Sequence, residues 1–182
     1  EFHGLEIFDV EELPTHGGSL RIYAKHKENK SLKISQNLFT LLQKEVSHGL
    51  RDVSTYIEFS EKIKTTKMEL VNFLINIKQE GKKIVGYGAA AKGNTLLNFC
   101  GIGKDFLDYV VDRSPHKQGL YLPGTHIIIN KPEKITETKP EYILILPWNL
   151  HEEIIKQMNI IFNWDGKFII PIPKIKIYQS ND

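Results

Sequence analysis

Ile84-Val85-Gly86-Tyr87-Gly88-Ala89-Ala90-Ala91-Lys92-Gly93-Asn94-Thr95 is the stretch that decides how this chain folds. An apolar strand runs into Gly-x-Gly-x-x-Ala, and a helix pattern follows. In that reading Gly86 permits a tight turn, Gly88 lets backbone approach a phosphate, and Ala91 lets the helix sit close to the strand. The free N–H groups and the dipole at a helix start favour an anion. Lys92 adds a mobile positive charge, and Gly93, Asn94 and the hydroxyl of Thr95 complete the first turn. A Gly-x-Gly-x-x-Ala also serves simply to turn a chain, so phosphate loop and structural turn both stand at this point.

Outward from this stretch, residues 82–173 alternate strands with helices. Strands are expected at Lys83–Tyr87, Leu107–Asp112, His126–Ile129, Tyr142–Leu146 and Lys167–Ile170. Helices are expected at Gly93–Phe99, Pro132–Thr136 and Leu150–Phe162. Such alternation argues for a doubly wound, mostly parallel sheet covered on both faces. Residues 174–182 read as a polar tail. Upstream, 36–80 keep a helical spacing of apolar residues, with Asp52 as a cap and Gly81 as the closing glycine. Residues 1–28 read as two short strands around Thr15-His16-Gly17-Gly18-Ser19, in which Leu20, Ile22 and Ala24 alternate with Arg21 and Tyr23. The chain thus divides into 1–28, a helical connection 29–81, and 82–182.

Asp112 ends the second strand of the alternating region, 24 residues after Gly88. That is close to the spacing at which an acid meets a ribose hydroxyl in dinucleotide folds. An acid in this place also caps the loop that follows it. His116, in that loop, either contacts a ligand or is solvated. Trp148 and Asn149 leave the carboxyl edge of the fourth strand after Pro147. Trp148 stacks on a ligand or packs; Asn149 meets a ligand or caps a helix. His16 and Ser19 face a ligand or belong to a plain turn.

Composition removes several classes. With 24 basic against 22 acidic residues, a net charge of +2 gives no electrostatic case for nucleic acid or an anionic membrane surface. A single cysteine, Cys100, excludes a disulfide framework and a cysteine-rich metal site, and fits a cytoplasmic setting. The seven histidines are scattered, without metal-ligand spacing. Glu11-Glu12 and Glu152-Glu153 are sequence neighbours that diverge, not an acid/base dyad. The chain offers a binding site more readily than a catalytic one, and Glu1 in place of Met leads us to expect residues upstream.

Five motifs together carry a family resemblance. They are Val10-Glu11-Glu12-Leu13-Pro14-Thr15-His16-Gly17-Gly18-Ser19-Leu20-Arg21, Gly86 through Asn98, Val111-Asp112-Arg113-Ser114-Pro115-His116-Lys117-Gln118-Gly119, Tyr121-Leu122-Pro123-Gly124-Thr125-His126, and Leu146-Pro147-Trp148-Asn149. In this order the set resembles the C-terminal region of the nucleotide-sugar C-methyltransferases of deoxysugar biosynthesis, from about Gly4 to Pro173.

The resemblance implies a Rossmann-like C-terminal domain, with residues 1–28 as the last strands of an upstream methyltransferase domain. It implies a zinc-binding segment further upstream, and a base in a Tyr-x-Glu-His stretch before Glu1. The implied reaction moves a methyl group from S-adenosylmethionine to a carbon of a thymidine-diphosphate keto-sugar, by proton removal next to the ketone and attack of the enolate. The cofactor would be held by the upstream domain and none by this chain, which alone would be inactive. The implied partners are a nucleotide-diphosphate sugar and the protein's own upstream domains. On this reading Gly88, Ala89, Lys92, Gly93, Asn94, Thr95, Asp112, His116, Trp148, Asn149, His16 and Ser19 face the substrate, and no residue here is catalytic or binds metal. Two rivals stay open: an NAD(P)-binding oxidoreductase module, and a ligand-free structural domain that dimerises, for example a homodimer through the helices at 36–80.

Overall fold

The computed structural model describes residues 2–180. The chain falls into two compact units, Glu1–Glu61 and Lys62–Asp182, and the boundary lies inside one long helix.

The first unit is an antiparallel hairpin, β1 (Leu5–Leu13) and β2 (Ser19–His26), followed by helix α1 (Gln36–Ser47) and the start of α2 (Val53–Gln79). The register slips between Ile7 and Asp9. That irregularity frees the Asp9 carboxylate, which accepts from the Ser35 hydroxyl at 2.5 Å and from the Val10 N–H at 2.9 Å. Ser35 in turn caps α1 by accepting from the Leu38 N–H. The Ser35 hydrogen bond is the chief reason the Asp9 carboxyl is held below its usual range. Val10 is buried, whereas Leu20 and Ile22 are exposed, so the apolar alternation of β2 is not a half-buried face. The helix α2 begins directly after Asp52 and ends in a Schellman turn: the Gly81 N–H returns to Lys78 and the Lys82 N–H to Ile77, with Gly81 at φ +73°.

The second unit holds a six-stranded sheet in the order β5-β4-β3-β6-β7-β8. Its strands are β3 (Ile84–Tyr87), β4 (Val110–Val111), β5 (Ile129–Asn130), β6 (Tyr142–Ile145), β7 (Lys167–Ile170) and β8 (Lys176–Tyr178). All neighbours are parallel except β7 and β8. Every residue of β3 and β6 is buried, as two-sided coverage requires. One face packs Ile84, Val110 and Leu144 against Leu70, Leu74 and Ile77 of α2 and Leu96 and Leu97 of α3 (Ala91–Cys100). The other packs Val85, Tyr87, Ile143 and Phe168 against Ile135 of α4 (Glu133–Thr138) and Ile154 of α5 (His151–Gln157). The final turns of α2 therefore belong to the sheet's core rather than to a connection.

Four expectations need correcting. The polar tail forms an edge strand, β8, which pairs antiparallel with β7. His126 cannot start a strand because its φ is +55°; the strand begins at Ile129. Leu107 and Tyr109 are buried, but the second strand is only Val110–Val111. The long helix at 150–162 breaks at Met158, after which Asn159–Trp164 form a 3-10 turn.

Glycines set the closest packing. Gly93 sits in α3 with its backbone against β6's end, where an added Cβ would lie 2.5 Å from the Leu146 Cβ and 3.3 Å from its Cα. Gly93, not the exposed Ala91, is the small residue that lets this helix approach the sheet. A helix-interior Gly→Ala change ordinarily stabilises, by up to about 1 kcal/mol. For Gly93→Ala the sign is expected to reverse, to a loss of about 2 kcal/mol from overpacking. Urea unfolding of the two proteins measures it, and a raised midpoint would contradict the packing account.

Candidate functional site

The sheet order reverses between β3 and β6. The chain goes from β3 outward through β4 and β5, then returns to the other side of β3 to lay down β6 and β7. Loops leaving the carboxyl ends of β3 and β6 diverge there, and open α/β sheets bind ligands in the crevice that results.

The β3–α3 loop is built from the backbone up. Gly88 turns the chain at φ +88°, its N–H held by the Val111 carbonyl at 2.7 Å. Gly86 does not make the turn; it lies in β3, close against Val110, where a Cβ would come within 2.7 Å. The close approach at Gly88 is to the Pro147 ring, 2.6 Å from an added Cβ. The helix α3 starts after Ala90, which supplies no side-chain cap. The Ala90 N–H turns back to the Gly88 carbonyl, and the N–H groups of Ala91, Lys92 and Gly93 have no hydrogen-bond partner among the described residues.

Around this helix start the structure gathers several of the expected residues. The Lys92 ammonium donates to the Asn149 carboxamide oxygen and stands 5.0 Å from the centroid of the Trp148 ring. Trp148 and Asn149 lie in a 3-10 turn, and α5 begins at His151 with Leu150 at its cap, so Asn149 is not the helix cap. The Asn94 Oδ1 atom is buried and has no partner among the described residues. Thr95 is exposed and its hydroxyl donates back to the Ala91 carbonyl.

Asp112 binds the loops together. One oxygen accepts from the Ala89 N–H at 2.7 Å and from Lys117 at 3.3 Å; the other accepts from the Ser114 N–H at 2.8 Å. Lys117 also donates to the Ala89 carbonyl at 3.0 Å. The carboxylate, with 13% of its side chain exposed, keeps only a single acceptor position on the Ser114 side. His116 is exposed in the same loop. His16 and Ser19 belong to the first unit. His16 is exposed with φ +56°, and the Ser19 hydroxyl closes the hairpin turn by donating to the Thr15 carbonyl at 3.0 Å.

At Tyr87, the last residue of β3, lie two cavities that the motif reading did not anticipate. A pocket of about 160 Å³ is walled by Gly88, Asp112 and Pro147 on one side and by α5 on the other. An open groove of about 840 Å³ lies between α5 and the loops after β4 and β5. Tyr87, Arg113 and Gln157 line both. Burial pushes the Tyr87 phenol up, so it remains a neutral donor; it donates to Gln157 at a long 3.4 Å. Arg113 stands 3.7 Å from Glu153, both side chains well exposed. Tyr87 and Arg113 lie inside quoted motifs and were legible as neighbours of Gly88 and Asp112. Gln157 carries no local signal.

Residues 14–173 match the family model described as C-methyltransferase C-terminal domain. The chain belongs to that family. The resemblance read from the five motifs is thereby borne out, and the C-methyltransferase C-terminal domain is an α/β unit with a mostly parallel six-stranded sheet. A relative, C-methyltransferase NovU of Streptomyces niveus, is 33% identical over 180 residues. The alignment covers 99% of this chain and 43% of that protein, so the chain spans about two fifths of its relative's length. Among the described residues of this C-methyltransferase domain, no helix is long and apolar enough to cross a membrane, and no three His, Cys, Asp or Glu side chains are grouped to hold a metal. Cys100 is buried, and burial pushes its thiol up against the opposing pull of Lys67, so it is a poor nucleophile.

Proposed function

We propose that this domain binds the nucleotide-diphosphate sugar of a sugar C-methyltransferase. The observation that carries the reading is the uncapped start of α3 above the Gly88 turn, at the reversal of strand order, with Lys92, Trp148 and Asn149 around it. The family membership supports it, and so does the strand order, which is that of Rossmann-like dinucleotide folds. Backbone N–H groups and an ammonium at one place favour a diphosphate. Trp148 offers a face for the sugar and Asn149 a carboxamide for its hydroxyls.

Bound elsewhere in the protein, S-adenosylmethionine supplies the methyl group. The part played by this chain is to hold and orient the acceptor. An acid already committed to Ala89, Ser114 and Lys117 gives poor ribose anchorage of the kind that NAD and S-adenosylmethionine sites use. We therefore assign the loop to the substrate diphosphate rather than to either. The hairpin of residues 1–28 and its His16 and Ser19 fit the closing strands of the cofactor-binding domain, beside a zinc-binding segment further upstream.

Calorimetric titration with thymidine diphosphate, uridine diphosphate and NAD tests the reading. Thymidine diphosphate is expected to bind, and Lys92→Ala to weaken it about tenfold, the loss of one charge-assisted contact. Tighter binding of NAD would favour the oxidoreductase module. Failure of all three to bind would favour a structural domain.

A further inference from the structure

We propose that the first half of α2 is a self-association surface: two copies of this chain pair antiparallel through the stripe Tyr56, Phe59 and Ile63. The inference goes beyond the nucleotide-sugar reading and does not rest on it. It stands whether or not a nucleotide binds.

Helical spacing puts Tyr56, Phe59 and Ile63 on the side of α2 that also carries Leu70, Leu74 and Ile77. In the last turns that side is buried against the sheet. In the first half the same side is bare. From Val53 to Thr65 every residue except Thr55 is exposed. Val53, Tyr56, Phe59 and Ile63 are 75%, 55%, 60% and 38% exposed. The neighbouring helix α1 packs on β1. Helices in proteins are held chiefly by packing of their apolar face, so a packing face continued into water calls for a partner. The Tyr56 hydroxyl donates to the Leu50 carbonyl, so covering its ring strands no polar group.

The borders of the stripe select a second copy as that partner. Glu58 and Glu61 point away from it, and its edges carry Val53 and Ser60 on one side and Thr55 and Lys62 on the other. About a two-fold axis near Ser60, antiparallel helices bring Tyr56 onto Ile63, Ser60 onto Ser60 and Lys62 beside Thr55. No like charges meet. Parallel helices would instead set Lys62 beside Lys67, so charge fixes the direction. The area is sufficient. Side chains this large and this exposed remove about 600 Å² per chain, or about 1,200 Å² for the pair, the lower bound of a specific interface. A contact of that size gives a reversible dimer with a dissociation constant of about 10 μM.

Sedimentation equilibrium of the native chain, Phe59→Glu and Ile22→Lys tests the pairing. Ile22 belongs to the exposed apolar surface of the hairpin and serves as the comparison. The native chain is expected to dimerise with rising concentration, Phe59→Glu to weaken the dimer at least tenfold, and Ile22→Lys to leave it unchanged. Cysteine pairs test the geometry: Ser60→Cys is expected to cross-link on oxidation and Glu58→Cys is not. Cys100 is buried and does not interfere. All four substituted positions are exposed, so the variants keep the fold. A native chain that stays monomeric at about 200 μM would overturn the proposal. So would a dimer that Ile22→Lys breaks and Phe59→Glu spares, or equal cross-linking at positions 58 and 60.

Discussion

Gly88→Ala is expected to cost about 3 kcal/mol of stability, from two sources that add. The first is conformational. Gly88 has φ +88°, and an L side chain in the left-handed region costs roughly 1–2 kcal/mol. The second is steric. An added Cβ would stand 2.6 Å from the Pro147 Cδ and 2.7 Å from its Cγ. Those atoms belong to a closed ring and cannot swing aside, and overpacking of this kind costs about 1–3 kcal/mol. The turn has little freedom to relax, because the Gly88 N–H is fixed at 2.7 Å to the Val111 carbonyl in the neighbouring strand β4. Gly101 separates the two sources. It has φ +73°, and an added Cβ there meets nothing within 4 Å. Gly101→Ala is therefore expected to show the conformational cost alone, about 1–2 kcal/mol. Urea unfolding of the three proteins gives the comparison. Equal losses at the two glycines would mean that Pro147 yields, and that the β3 and β6 loops are not locked together at the crevice.

The pattern of what sequence revealed follows from where side chains face. Strands β3, β6 and β7 were legible because a parallel strand buried on both faces is a short apolar run. The edge strand β8 was not, because Lys176 and Ile177 are exposed and its neighbour lies on one side only. The break of α5 at Met158 was hidden because Ile154, Met158 and Ile161 are all buried, so the apolar spacing runs on through the change to a 3-10 turn. The roles within the glycine motif were misassigned for a related reason. Sequence marks which positions are small, but not which neighbour each one meets: Gly86 meets Val110, Gly88 meets Pro147 and Gly93 meets Leu146.

At the site, local spacing carried the β3–α3 loop and Asp112, while partners distant in sequence stayed hidden. Lys92 and Asn149 are 57 residues apart, and Tyr87 and Gln157 are 70 apart. Trp148 and Asn149 were legible from their place after Pro147 at the carboxyl edge of the fourth strand, and the family motif repeats them. Gln157 lies outside every motif and enters only through the fold.

The remaining large effect is expected at Asp112, where the two accounts of an acid after the second strand give different results. If its work is to tie loops, Asp112→Ala removes the acceptor for the Ala89 N–H, the Ser114 N–H and Lys117. Hydrogen bonds to a charged group contribute about 1.5–3 kcal/mol each, and they do not add fully when they share one carboxylate. The Ala89 and Ser114 N–H groups are partly buried and are left without their acceptor, whereas Lys117 is exposed to water. A net loss of about 3 kcal/mol is therefore expected. Asp112→Asn keeps one carboxamide oxygen and loses the charge, so an intermediate loss of about 1.5 kcal/mol is expected. Amide hydrogen exchange localises the effect: the amides of Ala89 and Ser114 should exchange faster in both variants, and those of β7 should not. Ligand titration then separates the roles. A loop tie weakens thymidine diphosphate and pyrophosphate in proportion to the loosened loop, because both would lie over the same backbone N–H groups. A ribose contact would weaken the nucleotide and spare pyrophosphate. With three of its four acceptor positions already taken by the protein, the carboxylate favours the first outcome.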